Sequence, residues 1–403
     1  MTTCPVLTPS TWRFWFEAAL VLYAPVVVSQ TLPPGVEVMV GGKLHTDVRA
    51  FPGGPVGDAA GVLARRARVE AEVEVAGRFR VVFEPGFGEG EAELLDGYAE
   101  ADLWGGPGRA LAARIGRFKT PVGYESLQSS TDLRFAERAL PTALSPRRDL
   151  GAMVTYETPR VEAQAGVFNG VPDGSSTPTD WAAGPDAAAR VFGTPVETGS
   201  AAGPVRLGVG LAVAAGTAGE TDRLADYETP GDRTVFAYAE GVVPDGRRLR
   251  VAPQATLDVG RLRVLAEATE ARHRVRLGTD ERDLAHRAWQ AAASYVVVGR
   301  PQGADRPVPS RPVTEGGPGA VEVSARVHGL SLDDTSAPLA TTASARRATA
   351  WGLALHWTPV APVRLGLTVE RTRFDGFDSG APEAGGAVPP AETFVVGRFQ
   401  VDL

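Results

Sequence analysis

After its first thirty residues this chain alternates apolar and polar positions one for one, and that period of two constrains its fold more than anything else. Val69, Ala71, Val73 and Val75 alternate with Glu70, Glu72 and Glu74. Val205, Leu207, Val209, Leu211 and Val213 share a face, as do Trp289, Ala291, Ala293, Tyr295 and Val297. Val321 to Val327, Trp351 to Trp357 and Val363 to Val369 repeat the pattern. Such alternation means β-strands with one apolar and one polar face. Gly 47 and Pro 32 among 403 residues, spread along the whole chain, exclude an all-helical bundle. Few apolar runs exceed five residues beyond the N-terminus, so a helical membrane protein is excluded as well. A net charge of -7 argues against a nucleic-acid partner.

Alternation alone fits both a soluble sandwich, apolar face inward, and a transmembrane barrel, apolar face toward lipid. Three features favour the barrel. Several alternating segments are long enough to cross a bilayer as tilted strands, whereas sandwich strands are shorter. Trp351 and Trp357 end one apolar face about 20 Å apart, the separation of two interfacial girdles. Tight connections such as Thr158-Pro159 and 358–362 alternate with long polar tracts at 171–186, 215–232, 300–319 and 375–391, read here as outer loops. The last ten residues form one more alternating strand, ending on Leu403. Residues 1–29 carry Arg13, an apolar stretch and small residues before Gln30, the order of a cleavable secretory signal. Residues 30–403 then form a single barrel domain. The one cysteine, Cys4, lies in that leader, so neither a disulfide nor a thiolate metal site is expected.

Arg114-Ile-Gly-Arg-Phe-Lys-Thr-Pro-Val-Gly-Tyr-Glu125, followed by Ser129-Ser130, Phe135-Ala-Glu-Arg138 and Arg148-Asp-Leu-Gly151, resembles the signature of the phosphate-selective porins O and P. The resemblance extends back to Gly41–Asp47, Arg65–Arg68 and Leu95–Tyr98, and forward to Val167–Gly170, Gly319–Glu322 and Gly352–Trp357. It implies a sixteen-stranded antiparallel outer-membrane barrel, a homotrimer, and an inward-folded loop that narrows the pore and attracts anions. The candidate constriction loop is 119–148.

Alternation stops in that segment, and basic residues gather: Lys119, Arg134, Arg138, Arg147 and Arg148. Between low-dielectric walls a few guanidinium groups create a large positive potential. Arginine suits phosphate because its planar fork donates paired hydrogen bonds and stays charged. Conduction favours several moderate sites in series over one tight site. Lys43 and Arg66 join the candidate pore lining; by parity Arg66 points inward while Arg65 lies at the rim, unless the strand bulges. A competing arrangement is open: Glu125, Asp132, Glu137 and Asp149 could pair with these cations and lock the loop to the wall. Lys43 and Lys119 are the only lysines, and Ser126 and Thr131 stand where phosphate-selective relatives add lysine.

The five histidines lack ligand spacing, and no phosphate-binding loop or nucleophile elbow occurs, so no metal, cofactor or catalytic activity is expected. Arg272, Arg274 and Arg276 share a strand face, either as a funnel at the pore mouth or as a lipopolysaccharide contact in the outer leaflet. The expected function is passive diffusion of small anions, phosphate or polyphosphate favoured, with outer-membrane lipid and lipopolysaccharide as surroundings. A general, weakly selective porin, a plugged barrel and a secreted polysaccharide-binding β-sandwich are the alternatives.

Overall fold

The computed structural model describes residues 33–53, 60–106, 108–176, 184–201, 203–219, 222–341, 344–377 and 390–403. The expected signal segment lies outside them. Sixteen strands close into one barrel in sequence order. They are β1 (Val36–Ala50), β2 (Gly61–Val75), β3 (Phe79–Gly86), β4 (Glu93–Gly106), β5 (Arg109–Lys119), β6 (Arg148–Glu157), β7 (Val161–Phe168) and β8 (Asp186–Ser200). Then follow β9 (Gly203–Ala218), β10 (Val242–Val259), β11 (Leu262–Leu277), β12 (Asp280–Val298), β13 (Ala320–Ser331), β14 (Ala345–Val360), β15 (Val363–Gly376) and β16 (Ala391–Asp402). Every neighbour is antiparallel, and β16 returns to β1 with Lys43 opposite Asp402 and Asp47 opposite Arg398. Closure leaves no strand edge, which a bilayer requires.

Burial settles the sandwich question. Val62, Ile115 and Leu353 are 72%, 65% and 66% exposed, while Asp47, Arg250 and Glu370 are 0%, 1% and 2% exposed. Apolar residues face out and charges face in, the reverse of a soluble two-layer protein. Trp289 and Trp351 lie on the outer wall toward one end of the barrel. Trp104 and Trp357 lie toward the other, as girdles require.

The short connections that follow Val75, Gly106, Glu157, Ser200, Val259 and Val360 share the end at which β1 begins and β16 finishes. Long connections occupy the other end, with one correction. The 300–319 tract, read from sequence as an outer loop, lies at the tight-turn end. Residues Gly278 and Thr279 alone join β11 to β12, so one outer connection is short and strand parity shifts the next long tract. Within it, Arg300–Gln302 and Asp305–Val308 form a small ribbon.

The bulge that the parity argument left as its exception is present in β2. His45 pairs with Arg66 and Thr46 with Ala64, leaving Arg65 as the extra residue. Arg65 and Arg66 therefore both reach the lumen, which corrects the placement of Arg65 at the rim.

Candidate functional site: a loop held inside the barrel

Between β5 and β6, residues 120–147 run along the inside of the wall instead of leaving the barrel. Thr120 closes the neck: its hydroxyl donates to the carbonyls of Pro146 and Arg147 at 3.0 and 2.9 Å. A single helical turn follows at Tyr124–Leu127. Its entry depends on Gly123, at φ +79°, where a Cβ would meet the Ser145 and Ser126 hydroxyls at 3.0 and 3.1 Å. The Tyr124 amide donates to Glu267 on β11 at 2.6 Å. From there the loop passes β16, where Thr131 donates to Asp402 at 3.1 Å, and β15, where Arg364 donates to the Leu133 carbonyl at 2.9 Å. On β13, Arg326 donates to the Glu137 carbonyl at 2.9 Å.

The loop's far limb is apolar and inserts into a cluster at the outer end of the barrel. Leu140 and Leu144 pack with Tyr227, Val235 and Phe236 from the 219–241 connection and with Leu330, Leu332, Ala348 and Phe374 from the opposite wall. Burial of these side chains, each worth about 1.5–3 kcal/mol, presses the loop's far limb onto β11–β15, while cavities remain between the loop and the β2–β8 wall.

Glu137 is the central anchor. Arg65 and Arg66 donate to it at 2.8 and 3.0 Å, and Arg398 at 2.7 Å. Burial alone would raise this carboxyl, but Arg66, Arg65 and Arg398 hold it well below the usual carboxylate range.

The seven candidate cations fall into two groups. Lys43 contacts Glu70 and Glu84 at 3.3 and 3.7 Å, and Arg148 forks onto Asp96 at 3.0 and 2.8 Å. Arg66 is committed to Glu137. Arg134 contacts Glu322 at 3.3 Å and donates to the carbonyls of Gly303, Ala304 and Asp305, tying the loop to the ribbon at the tight-turn end. The other three have no carboxylate within ion-pair distance among the described residues. Lys119 Nζ donates to the carbonyls of Leu127 and Gln128, both at 2.9 Å. Arg138 donates to the carbonyls of Glu125 and Gln128 at 3.0 and 2.7 Å. Arg147 is exposed to the lumen. Burial first, and then Arg147, push the Arg138 guanidinium down to about 10, which leaves it charged at neutral pH.

Lys119 lines two cavities. One, of about 370 Å³, is also bordered by Arg65, Arg66, Arg68, Arg138, Arg147 and Arg148, with Glu89, Glu91 and Glu93 at its rim. The other, of about 430 Å³, lies toward Asp96, Tyr98, Arg114, Tyr124 and Arg190. Arg65 and Arg68 were absent from the sequence-derived set, as were Arg248 and Arg250, which bind Asp186 and Asp173. The even-numbered spacing of Arg248, Arg250 and Gln254, which puts all three on one strand face, was the available signal. Among the described residues no group of three or more His, Cys, Asp or Glu could hold a metal ion.

The profile of a family described as "Phosphate-selective porin O and P" matches residues 38–375. The chain belongs to that family. It is an outer-membrane porin, and its barrel is similar to solved porins despite low identity. The outer membrane channel DcaP of Acinetobacter baumannii is 12% identical at a TM-score of 0.59, over 93% of this chain and 99% of that one. OmpT of Vibrio cholerae, described in a trimer form, is 11% identical at 0.54, over 92% and 100%. The anion-selective porin of Comamonas acidovorans is 15% identical at 0.53, over 91% and 100%. No curated protein matches this sequence.

Proposed function

We propose that this porin passes small anions by diffusion, with phosphate or polyphosphate favoured, through the space between the inward loop and the β2–β9 wall. The observation that carries the reading is that Lys119, Arg138 and Arg147 meet at this passage with no carboxylate in ion-pair contact among the described residues. Backbone carbonyls hold Lys119 and Arg138 in place without neutralising them. Their field acts between low-dielectric walls and is strongest where the lumen is narrow. Lys43, Arg66, Arg134 and Arg148 complete the basic lining, and their carboxylate partners keep the attraction moderate, so that an anion can leave.

Those partners also favour a second reading, a general porin with weak anion preference, because four of the seven candidate cations are matched by Glu or Asp. Assembly as a homotrimer is part of the proposal. The β1–β3 exterior supports it: β3 spans only Phe79–Gly86 and turns Phe79, Val81 and Phe83 outward, a low apolar wall suited to a second copy.

The test is single-channel conductance in chloride with phosphate titrated in at submillimolar levels. Phosphate should block the current, and Arg138→Ala should weaken the block about tenfold, a loss of about 1.4 kcal/mol. Steps of reproducible size without block would favour the general porin.

A further inference from the structure

The outer wall carries its own basic belt, separate from the pore. On β11 the residues Thr269, Ala271, His273 and Val275 are buried toward the lumen. Their neighbours Glu270, Arg272, Arg274 and Arg276 therefore face away from it, so the face noted in the sequence is no funnel into the pore. Strand register extends this outward face across four more strands. Glu270 lies opposite Arg287, then Ser331, Arg347 and Asp375 in successive strands. One row nearer the midplane, Trp289 leads through Gly329 and Thr349 to Arg373. In the next row Val327 leads to Trp351 and Arg371.

Five guanidinium groups (Arg272, Arg287, Arg347, Arg371 and Arg373) thus sit at or just above the outer tryptophan level. Among the described residues, Glu270 and Asp375 are the carboxylates that share those rows with them. Arg272 and Arg287 both bind Glu270 through Nε, at 2.5 and 2.6 Å, with side chains 60% and 65% exposed. One carboxylate is shared by two cations. Arg373 lies over the Trp351 ring at 5.5 Å, and Arg347 has no ion pair among the described residues. Beside Arg272 and Arg287 the wall has a recess of about 610 Å³, bordered by Leu249, Val251, Pro253, Ala268 and Trp289. The opposite wall at the same end turns Val48 and Val62 outward, 58% and 72% exposed.

We propose that the β11–β15 exterior binds a phosphorylated, multiply acylated glycolipid of the outer leaflet, the lipid A portion of lipopolysaccharide. Its sugar phosphates meet the guanidinium belt, and one acyl chain enters the recess beside Trp289. Charge complementarity selects this occupant. A bare apolar wall would accept any acyl chain, whereas five arginines at headgroup depth against two carboxylates select a lipid with several phosphates. The inference rests on the outer-membrane location and not on the anion-pore reading, so the two fail separately.

The test uses the full-length porin in detergent, with bis-phosphorylated lipid A and its phosphate-free counterpart as probes and native mass spectrometry as the readout. The porin should retain the phosphorylated form at least tenfold better. A variant with Arg272→Gln, Arg287→Gln, Arg347→Gln and Arg373→Gln should lose that preference while keeping its single-channel conductance. Should the fourfold variant fail to fold, Arg347→Gln with Arg373→Gln should still lower the preference severalfold. Equal retention of both lipids by the unmodified porin would overturn the proposal, as would an undiminished preference in a folded variant. Displacement of the lipid by millimolar inorganic phosphate alone would also contradict it.

Discussion

Arginine does opposite work on the two sides of this lumen. On β13, β15 and β16, Arg326, Arg364 and Arg398 are each paired with a carboxylate, at 2.6 Å to Glu370, 3.3 Å to Glu322 and 2.6 Å to Asp47. Each also donates to a backbone carbonyl of the inward loop. Their charge is cancelled and their hydrogen bonds are spent on holding the loop. Across the passage, Lys119 and Arg138 donate to backbone carbonyls, and neither they nor Arg147 have a carboxylate within ion-pair distance among the described residues. A cation in a porin therefore reports function through its partner: matched to a carboxylate it fastens, and matched to a carbonyl it leaves a field.

The largest expected effect comes from the fastening side. Glu137→Ala would leave Arg65, Arg66 and Arg398 facing one another at a buried site, a loss of about 3–5 kcal/mol. The barrel should lose its heat-modifiable gel mobility at a lower temperature, and single channels should become noisy as the loop detaches. Quiet channels in this variant would mean that the apolar cluster around Leu140 and Leu144 holds the loop unaided.

A pH series sharpens the same contrast. The carboxyl of Glu137 is depressed in the folded protein, so its stabilisation is complete above the unfolded value of about 4.3 and fades as pH falls through the lower folded value. Channel noise should stay constant from pH 8 to pH 5 and rise only in stronger acid. Noise that grows between pH 7 and pH 5 would contradict Glu137 as the group whose protonation frees the loop.

The smallest effect belongs to a matched pair removed whole. Replacing Arg148 and Asp96 together by Ala deletes a bidentate contact but no net charge. The reversal potential across a salt gradient should be unchanged. A clear shift would show that paired arginines also steer ions.

Much of the barrel was legible because strand alternation is a local property: each strand carries its own lipid-facing and lumen-facing residues. The inward loop was legible as the place where alternation stops. Partners were not, because they come from distant strands. Arg148 pairs with Asp96 rather than with its neighbour Asp149, and Glu137 gathers arginines from β2 and β16. Side of the membrane also escaped for the 300–319 tract, since length alone marks a loop and only strand parity assigns its end. The outward direction of Arg272 needed the bulge-free register of β11 with β12 to be fixed.

The most direct test of the central claim is the reversal potential across a potassium chloride gradient, for the unmodified porin and for a variant with Lys119→Gln, Arg138→Gln and Arg147→Gln. The account predicts anion preference in the first and its loss in the second, with the barrel still heat-modifiable. A porin without anion preference, or a triple variant that keeps it, would contradict the assignment of the field to these three residues.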